Sequence, residues 1–200
     1  MPYGQEGRGA VVYQLIANNG VTKAFKVFKP LFREPRMVIV AENLESYASF
    51  QGLQACRREV LTGSRNTTLL ADKPELVYTV LMSWIDGSTW QEYLMSDESP
   101  DIRKSIKMAR SLVTVLMNME ERGLVHCDLA GPNLILEPGG NIELVDLEEM
   151  FGSGFSKPEL LSSGSSGYAH KTSQYSLWKS QPYRFAGAIM LVEIMCWCIE

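Results

Sequence analysis

The stretch 101–122 constrains the fold of this chain more than any other segment. Ile102, Ile106, Ala109, Leu112, Val113, Leu116, Met117 and Met119 recur at helical spacing, with Asp101 at the start and Gly123 just past the end. So long an amphipathic helix must cover its apolar stripe with other elements. The chain ahead of it has a different period. Residues 11–16 and 22–28 are β-branched and aromatic-rich, and Ala17-Asn18-Asn19-Gly20 between them has hairpin-turn chemistry.

Further elements follow from the same reading. Val38-Ile39-Val40 forms a short run after the proline-containing connection 29–35. Residues 44–61 carry helical spacing at Leu44, Tyr47, Phe50, Leu53, Val60 and Leu61, with Gly63 as a stop. Residues 75–84 read as a strand broken by Asp86-Gly87, and 89–95 as a short helix capped by Ser88 or Thr89. After the long helix, strands 134–136 and 142–145 flank a Pro138-Gly139-Gly140-Asn141 turn. Residues 153–166 form a Gly/Ser-rich loop, and an apolar helix begins near Tyr183. A β-rich part followed by a helix-rich part predicts an α+β, two-lobed fold.

Composition removes several classes. With 46% hydrophobic and 21% charged residues among 200, the chain is neither disordered nor fibrous. Its net charge of −4 offers phosphate backbones no overall attraction, so no nucleic-acid partner is expected. No apolar run approaches the ~18 residues a membrane span needs. Neither a span nor a secretory leader is therefore expected, and the cytoplasm is the expected location. Cys56, Cys127, Cys196 and Cys198 have neither the density of a disulfide framework nor the spacing of a zinc site.

The chemistry concentrates after the long helix. The segment from Gly123 to Leu136 brings His126, Asp128 and Asn133 into one loop, and Asp146 ends a strand eighteen residues beyond Asp128. Each residue alone is an ordinary turn or backbone partner. Finding Asp at +2, Asn at +7 and Asp at +20 from either of two histidines by chance is on the order of one in several thousand on average residue usage.

On these residues the chain resembles the protein kinase superfamily, in particular bacterial relatives of the eukaryotic-like Ser/Thr kinases, whose catalytic loop reads His-Arg-Asp-x-x-x-x-Asn ahead of a metal-binding Asp-Phe-Gly. Other segments match in the same order. Lys26 looks like the lysine of the third strand, fourteen residues after Val12, which fits the valine that packs on adenine. Gly7 fits the middle glycine of the glycine loop, and Gly9 serves if that loop is shifted. Met82-Ser83-Trp84-Ile85-Asp86-Gly87 looks like the adenine hinge. Gly164 to Ala169 looks like the end of an activation segment, and Arg184 to Gly187 with Glu193 looks like the buried helix after it.

The resemblance implies a small β-rich lobe over 1–84, with the glycine loop, the lysine strand and a glutamate-bearing helix, and a helical lobe over 85–200. It implies ATP and Mg²⁺ as cofactors and a protein Ser/Thr hydroxyl as phosphoryl acceptor. Asp128 would orient the acceptor hydroxyl, Asn133 and Asp146 would hold Mg²⁺ through oxygen, and Lys26 would pair with the α- and β-phosphates. Its helix partner would be Glu59 or, alternatively, Glu45. Only residues 1–3 precede the glycine loop and no later helices follow the apolar run 188–199. The expectation is thus a domain incomplete at both ends, attached to further domains in a longer chain.

Four departures bear on the activity. Cys127 replaces an arginine that commonly reads a phosphorylated loop, and Ala130 replaces a lysine near the γ-phosphate. Leu147-Glu148 replaces Phe-Gly, and the segment around Tyr168 lacks Ala-Pro-Glu. In the same region Tyr183 stands where a buried aspartate is usual. A pseudokinase that binds nucleotide as a scaffold or switch is the first alternative. A small-molecule phosphotransferase of the aminoglycoside or choline kinase type is the second.

Overall fold

In the computed structural model, which describes residues 4–96, 98, 101–161, 164–170, 178 and 182–197, the hairpin turn at 17–20 closes as its sequence suggests. Gly20 takes a left-handed φ of 82° that its missing Cβ makes inexpensive, and its N–H donates to the Ala17 carbonyl at 2.8 Å. The turn joins β2 (Ala10–Ile16) to β3 (Thr22–Phe28) in a register that pairs Ala10 with Phe28 and Val12 with Lys26. With β1 (Gly4–Glu6), β4 (Arg58–Val60) and β5 (Val80–Ser83) these form an antiparallel sheet of order β1-β2-β3-β5-β4.

The chain divides into two compact units. The first comprises Met1–Ala48 and Ala55–Trp84, the second Ser49–Gln54 and Ile85–Glu200. In the first, α1 (Arg36–Glu45) packs beside β4 and buries Met37, Val40, Ala41 and Leu44, an i, i+3, i+4, i+7 stripe. This gives the run 38–40 its structure and corrects one expectation. The run 38–40 is helical, because that stripe outweighs the strand preference of Val38, Ile39 and Val40. The helix expected over 44–61 ends at Glu45 instead. Gly52 then takes φ 81°, a short 3-10 turn covers Gln54–Cys56, and the chain enters β4 with Arg58 and Val60 buried and Glu59 exposed. The strand expected over 75–84 is likewise shorter. After α2 (Thr67–Asp72), Pro74–Leu76 form a 3-10 turn, Tyr78 sits at φ 62°, and regular pairing begins only at Val80.

In the second unit, α4 (Ile102–Glu121) is the long helix the sequence implies. The Asp101 carboxylate accepts from the Lys104 N–H at 2.7 Å and caps its start. Its buried stripe is Met108, Ala109, Leu112, Val115 and Met119, with Ser105 and Ser111 among them, whereas Ile102, Val113 and Met117 lie exposed beside it. Residues Ser88–Thr89 form β6, which leads into α3 (Trp90–Met95) through a capping box between Thr89 and Glu92. The strands β7 (Leu134–Leu136) and β8 (Ile142–Leu144) complete a three-stranded sheet with β6. The apolar α5 (Pro182–Cys196) packs on α4 so closely that a Cβ on Gly187 would stand 2.8 Å from Leu116. Among the described residues no helix is long and apolar enough to cross a membrane.

Candidate functional site

The loops on either side of the β7-β8 hairpin carry Asp128, Asn133 and Asp146, and backbone hydrogen bonds tie these residues together. The Asn133 amide donates through Nδ2 to the Asp128 carbonyl at 2.8 Å, while its own carbonyl accepts from the Val145 N–H at 3.0 Å. His126, only 2% exposed, bonds through Nε2 to the Val145 carbonyl at 2.8 Å. Since the Val145 carbonyl accepts, Nε2 carries the proton. Both polar groups of the residue preceding Asp146 are therefore fixed by the loop that bears Asp128. A bridge between Val125 and Phe151 closes the arrangement from the other end.

Asp146 itself stands at φ 61° and ψ 50°, one of two non-glycine residues with positive φ among those described, and its side chain is exposed. Such a conformation costs of order 1 kcal/mol or more and persists only where the surroundings impose it. Here the imposing groups are the two Val145 bonds before it and the 3-10 turn Leu147–Glu149 after it.

The residues nearby set the electrostatics. Burial pushes the Cys127 thiol up to about 12, with the carboxylates of Glu149 and Asp128 adding to the effect, so this thiol is no nucleophile. Ala130 is fully buried and brings no cation to the loop. The half-buried Ser165 donates its hydroxyl to Asp128 Oδ1 at 3.1 Å, from a turn in which the Ser165 carbonyl accepts the N–H groups of Tyr168 and Ala169. Composition marks 153–166 only as a Gly/Ser-rich loop, and a bond across 37 residues leaves no local signal in sequence.

Asn133 and Asp146 are oxygen donors of the kind Mg²⁺ prefers. Nδ2 of Asn133 is engaged with the Asp128 carbonyl, which points its amide oxygen elsewhere and leaves that oxygen for a ligand. Among the described residues no group of three or more His, Cys, Asp or Glu side chains gathers around a common point. A cation held by these two donors would take its remaining ligands from phosphate and water.

In the first unit, Lys26 is 6% exposed, on the face of the sheet that also carries Val12, Ala24, Val80 and Met82. Its ammonium lies 5.6 Å from the centre of the Phe28 ring. Gly7 and Gly9 occupy the turn between β1 and β2. The Gly7 N–H donates to the Ala10 carbonyl at 2.8 Å, and a Cβ on Gly9 would meet the Phe32 ring at 3.0 Å. Trp84 follows β5, half-buried, at the end of this unit.

The expectation that Glu59 lies on a helix fails. Glu59 lies on β4, exposed on the face opposite Arg58 and Val60, and is no helix residue. Glu45 is the last residue of α1, exposed, with its carboxylate 3.7 Å from Arg57. The other acid of α1, Glu42, faces Arg65 at 4.0 Å. The carboxylates of α1 thus turn toward surface arginines.

No family model matches the chain. A curated relative, the serine/threonine-protein kinase PrkC of Bacillus subtilis (strain 168), is 21% identical over 70 residues, which cover 35% of this chain and 11% of that protein. The match is weak and spans about a tenth of the relative's length. It hints at a kinase relationship, and the α+β architecture is compatible with a kinase-like fold.

Proposed function

We propose that this chain is a protein-kinase-like domain that binds Mg-ATP and transfers a phosphoryl group to a protein Ser/Thr hydroxyl. The observation that carries this reading is the bonded set Asp128, Asn133 and Asp146, held through Val145 and His126. Phosphoryl transfer is chiefly positioning plus neutralisation of charge, and two hydrogen-bonded loops bearing two carboxylates and a carboxamide suit both tasks. Asp128 would accept or orient the acceptor's proton, and the Ser165 hydroxyl on its Oδ1 would hold its rotamer. Asn133 and Asp146 would hold Mg²⁺, which when bound neutralises phosphate charge. Lys26 would supply a cation to the nucleotide's phosphates, with Val12 and Met82 on the same apolar face for the base and Trp84 just beyond. Gly7 and Gly9 keep the preceding turn free of side chains.

The test is a nucleotide titration with and without Mg²⁺, followed by single-turnover transfer from labelled ATP on the same preparation. We expect Mg-dependent binding and transfer that Asp128→Ala abolishes; equal incorporation by wild type and variant would sink the assignment. A pseudokinase is the second reading, favoured by the uncharged, buried Ala130 and by Glu148 after the metal-binding Asp146. Nucleotide-dependent thermal stabilisation without any transfer would establish it.

A further inference from the structure

Glu193 is the sole acidic residue of α5, and its carboxylate is shared. The same oxygen, Oε2, accepts from the Trp90 indole N–H at 3.0 Å and from the Tyr168 hydroxyl at 2.8 Å. Trp90, at the start of α3, is fully buried, so the indole is a fixed donor. Tyr168 is half-buried, and burial together with the Glu193 carboxylate raises its phenol well above the ordinary range, which keeps it a donor.

From this junction two short paths reach the candidate site. Tyr168 belongs to the turn headed by Ser165, whose hydroxyl binds Asp128 Oδ1. The Tyr168 oxygen also packs against Gly131, where an added Cβ would stand 3.2 Å from it. A side chain there would push the phenol back by a few tenths of an ångström. Gly131 opens the 3-10 turn that ends at Asn133. One carboxylate thus braces α3, the 164–170 segment and the loop bearing Asp128 and Asn133.

We infer that Glu193 is a positioning residue for Asp128 and Asn133, acting through the Tyr168 hydroxyl with Trp90 holding the carboxylate in place. The segment around Tyr168 has no Ala-Pro-Glu glutamate to anchor it, and this junction supplies an anchor of different chemistry. The inference rests on the phosphoryl-transfer reading and adds to it the residues that set the geometry of that site.

The test compares Tyr168→Phe, Glu193→Leu and Glu193→Gln with wild type, all as the full chain. A modest misplacement of reacting groups costs tenfold to about a hundredfold. We expect the single-turnover rate to fall by that much in Tyr168→Phe and Glu193→Leu, with the Mg-ATP dissociation constant within about twofold of wild type, a split set by the same positioning argument. Glu193→Gln retains an oxygen acceptor and should recover most of the rate. Ser165→Ala combined with Tyr168→Phe should cost little more than the worse single variant, because both act on Asp128 along one path.

Hydrogen exchange at residues 128–133 reads the same positioning without catalysis, and we expect it to quicken in Tyr168→Phe. Wild-type rates in Tyr168→Phe and Glu193→Leu, additive losses in the double variant, a rate loss matched by an equal loss of folded protein, or unchanged exchange at 128–133 would each overturn the inference and leave the kinase reading standing. A wild type that transfers nothing overturns both.

Discussion

The two regions that carry the candidate chemistry place their residues by different means. In the β7-β8 loops two polar side chains are held by backbone groups: His126 by the Val145 carbonyl, Asn133 by the Asp128 carbonyl. In the first unit the backbone of Lys26 is placed by strand register. Its Cα stands opposite Val12 on β2 and Val80 on β5, and its stem lies on an apolar face. Where side chains do the tying, a substitution should cost stability and geometry together. Where the ladder does the placing, the side chain's charge can be removed and the fold should survive.

Lys26→Met is the sharpest way to break this contrast, and carries the largest expected effect. Methionine keeps the length and apolar stem, so the packing on the sheet face is retained. We expect folding free energy within about 1 kcal/mol of wild type by denaturant unfolding. Transfer should fall by roughly 10²–10³-fold, the scale for deleting one pre-aligned electrostatic group. An unfolding midpoint that drops as far as it does for a loop variant would erase the distinction between the two regions.

His126→Ala tests the other side. It removes a buried ring and leaves the Val145 carbonyl without its donor, which together should cost about 2–4 kcal/mol. Transfer should fall in the same variant, because the residue before Asp146 loses one of its two anchors. Full stability with lost activity would mean that His126 acts on the chemistry directly rather than by holding the loop.

The same contrast explains what could be read in advance. The 126–146 spacing was legible because a loop held by its own backbone bonds keeps its polar residues at fixed separations along the chain. The hairpin at 17–20 and the helix after Asp101 were legible for a similar reason, since Gly20 and the Asp101 cap act within a few residues. Glu59 was misplaced because Leu53 and Val60 suit a helical period, while the buried-exposed-buried alternation over Arg58–Val60 spans only three residues. The β-branched residues of the run 38–40 hide its helix, although Met37, Val40, Ala41 and Leu44 hold the decisive stripe. The Ser165 bond to Asp128 and the Glu193 junction join segments far apart in the chain, and no local pattern announces them.

Glu143 offers the finest probe of side-chain anchoring, and the smallest effect. It sits on β8, 2% exposed, and its carboxylate accepts from the Gly52 N–H at 3.2 Å, the Gln54 N–H at 3.0 Å and Gln54 Nε2 at 2.8 Å. Those donors favour the charged form, yet burial outweighs them and the group's pKa is raised. An acid whose folded pKa lies above its unfolded value binds more protons when folded. Its contribution is therefore complete below the unfolded value and is lost as pH rises through the folded one. Wild type should lose stability relative to Glu143→Gln as pH climbs from the ordinary carboxylate range toward neutrality, read as the difference between their denaturant midpoints. Were the difference flat, or of the opposite sign, the three donors would outweigh burial, and the 49–54 segment would be held by a charge the fold stabilises rather than one it tolerates.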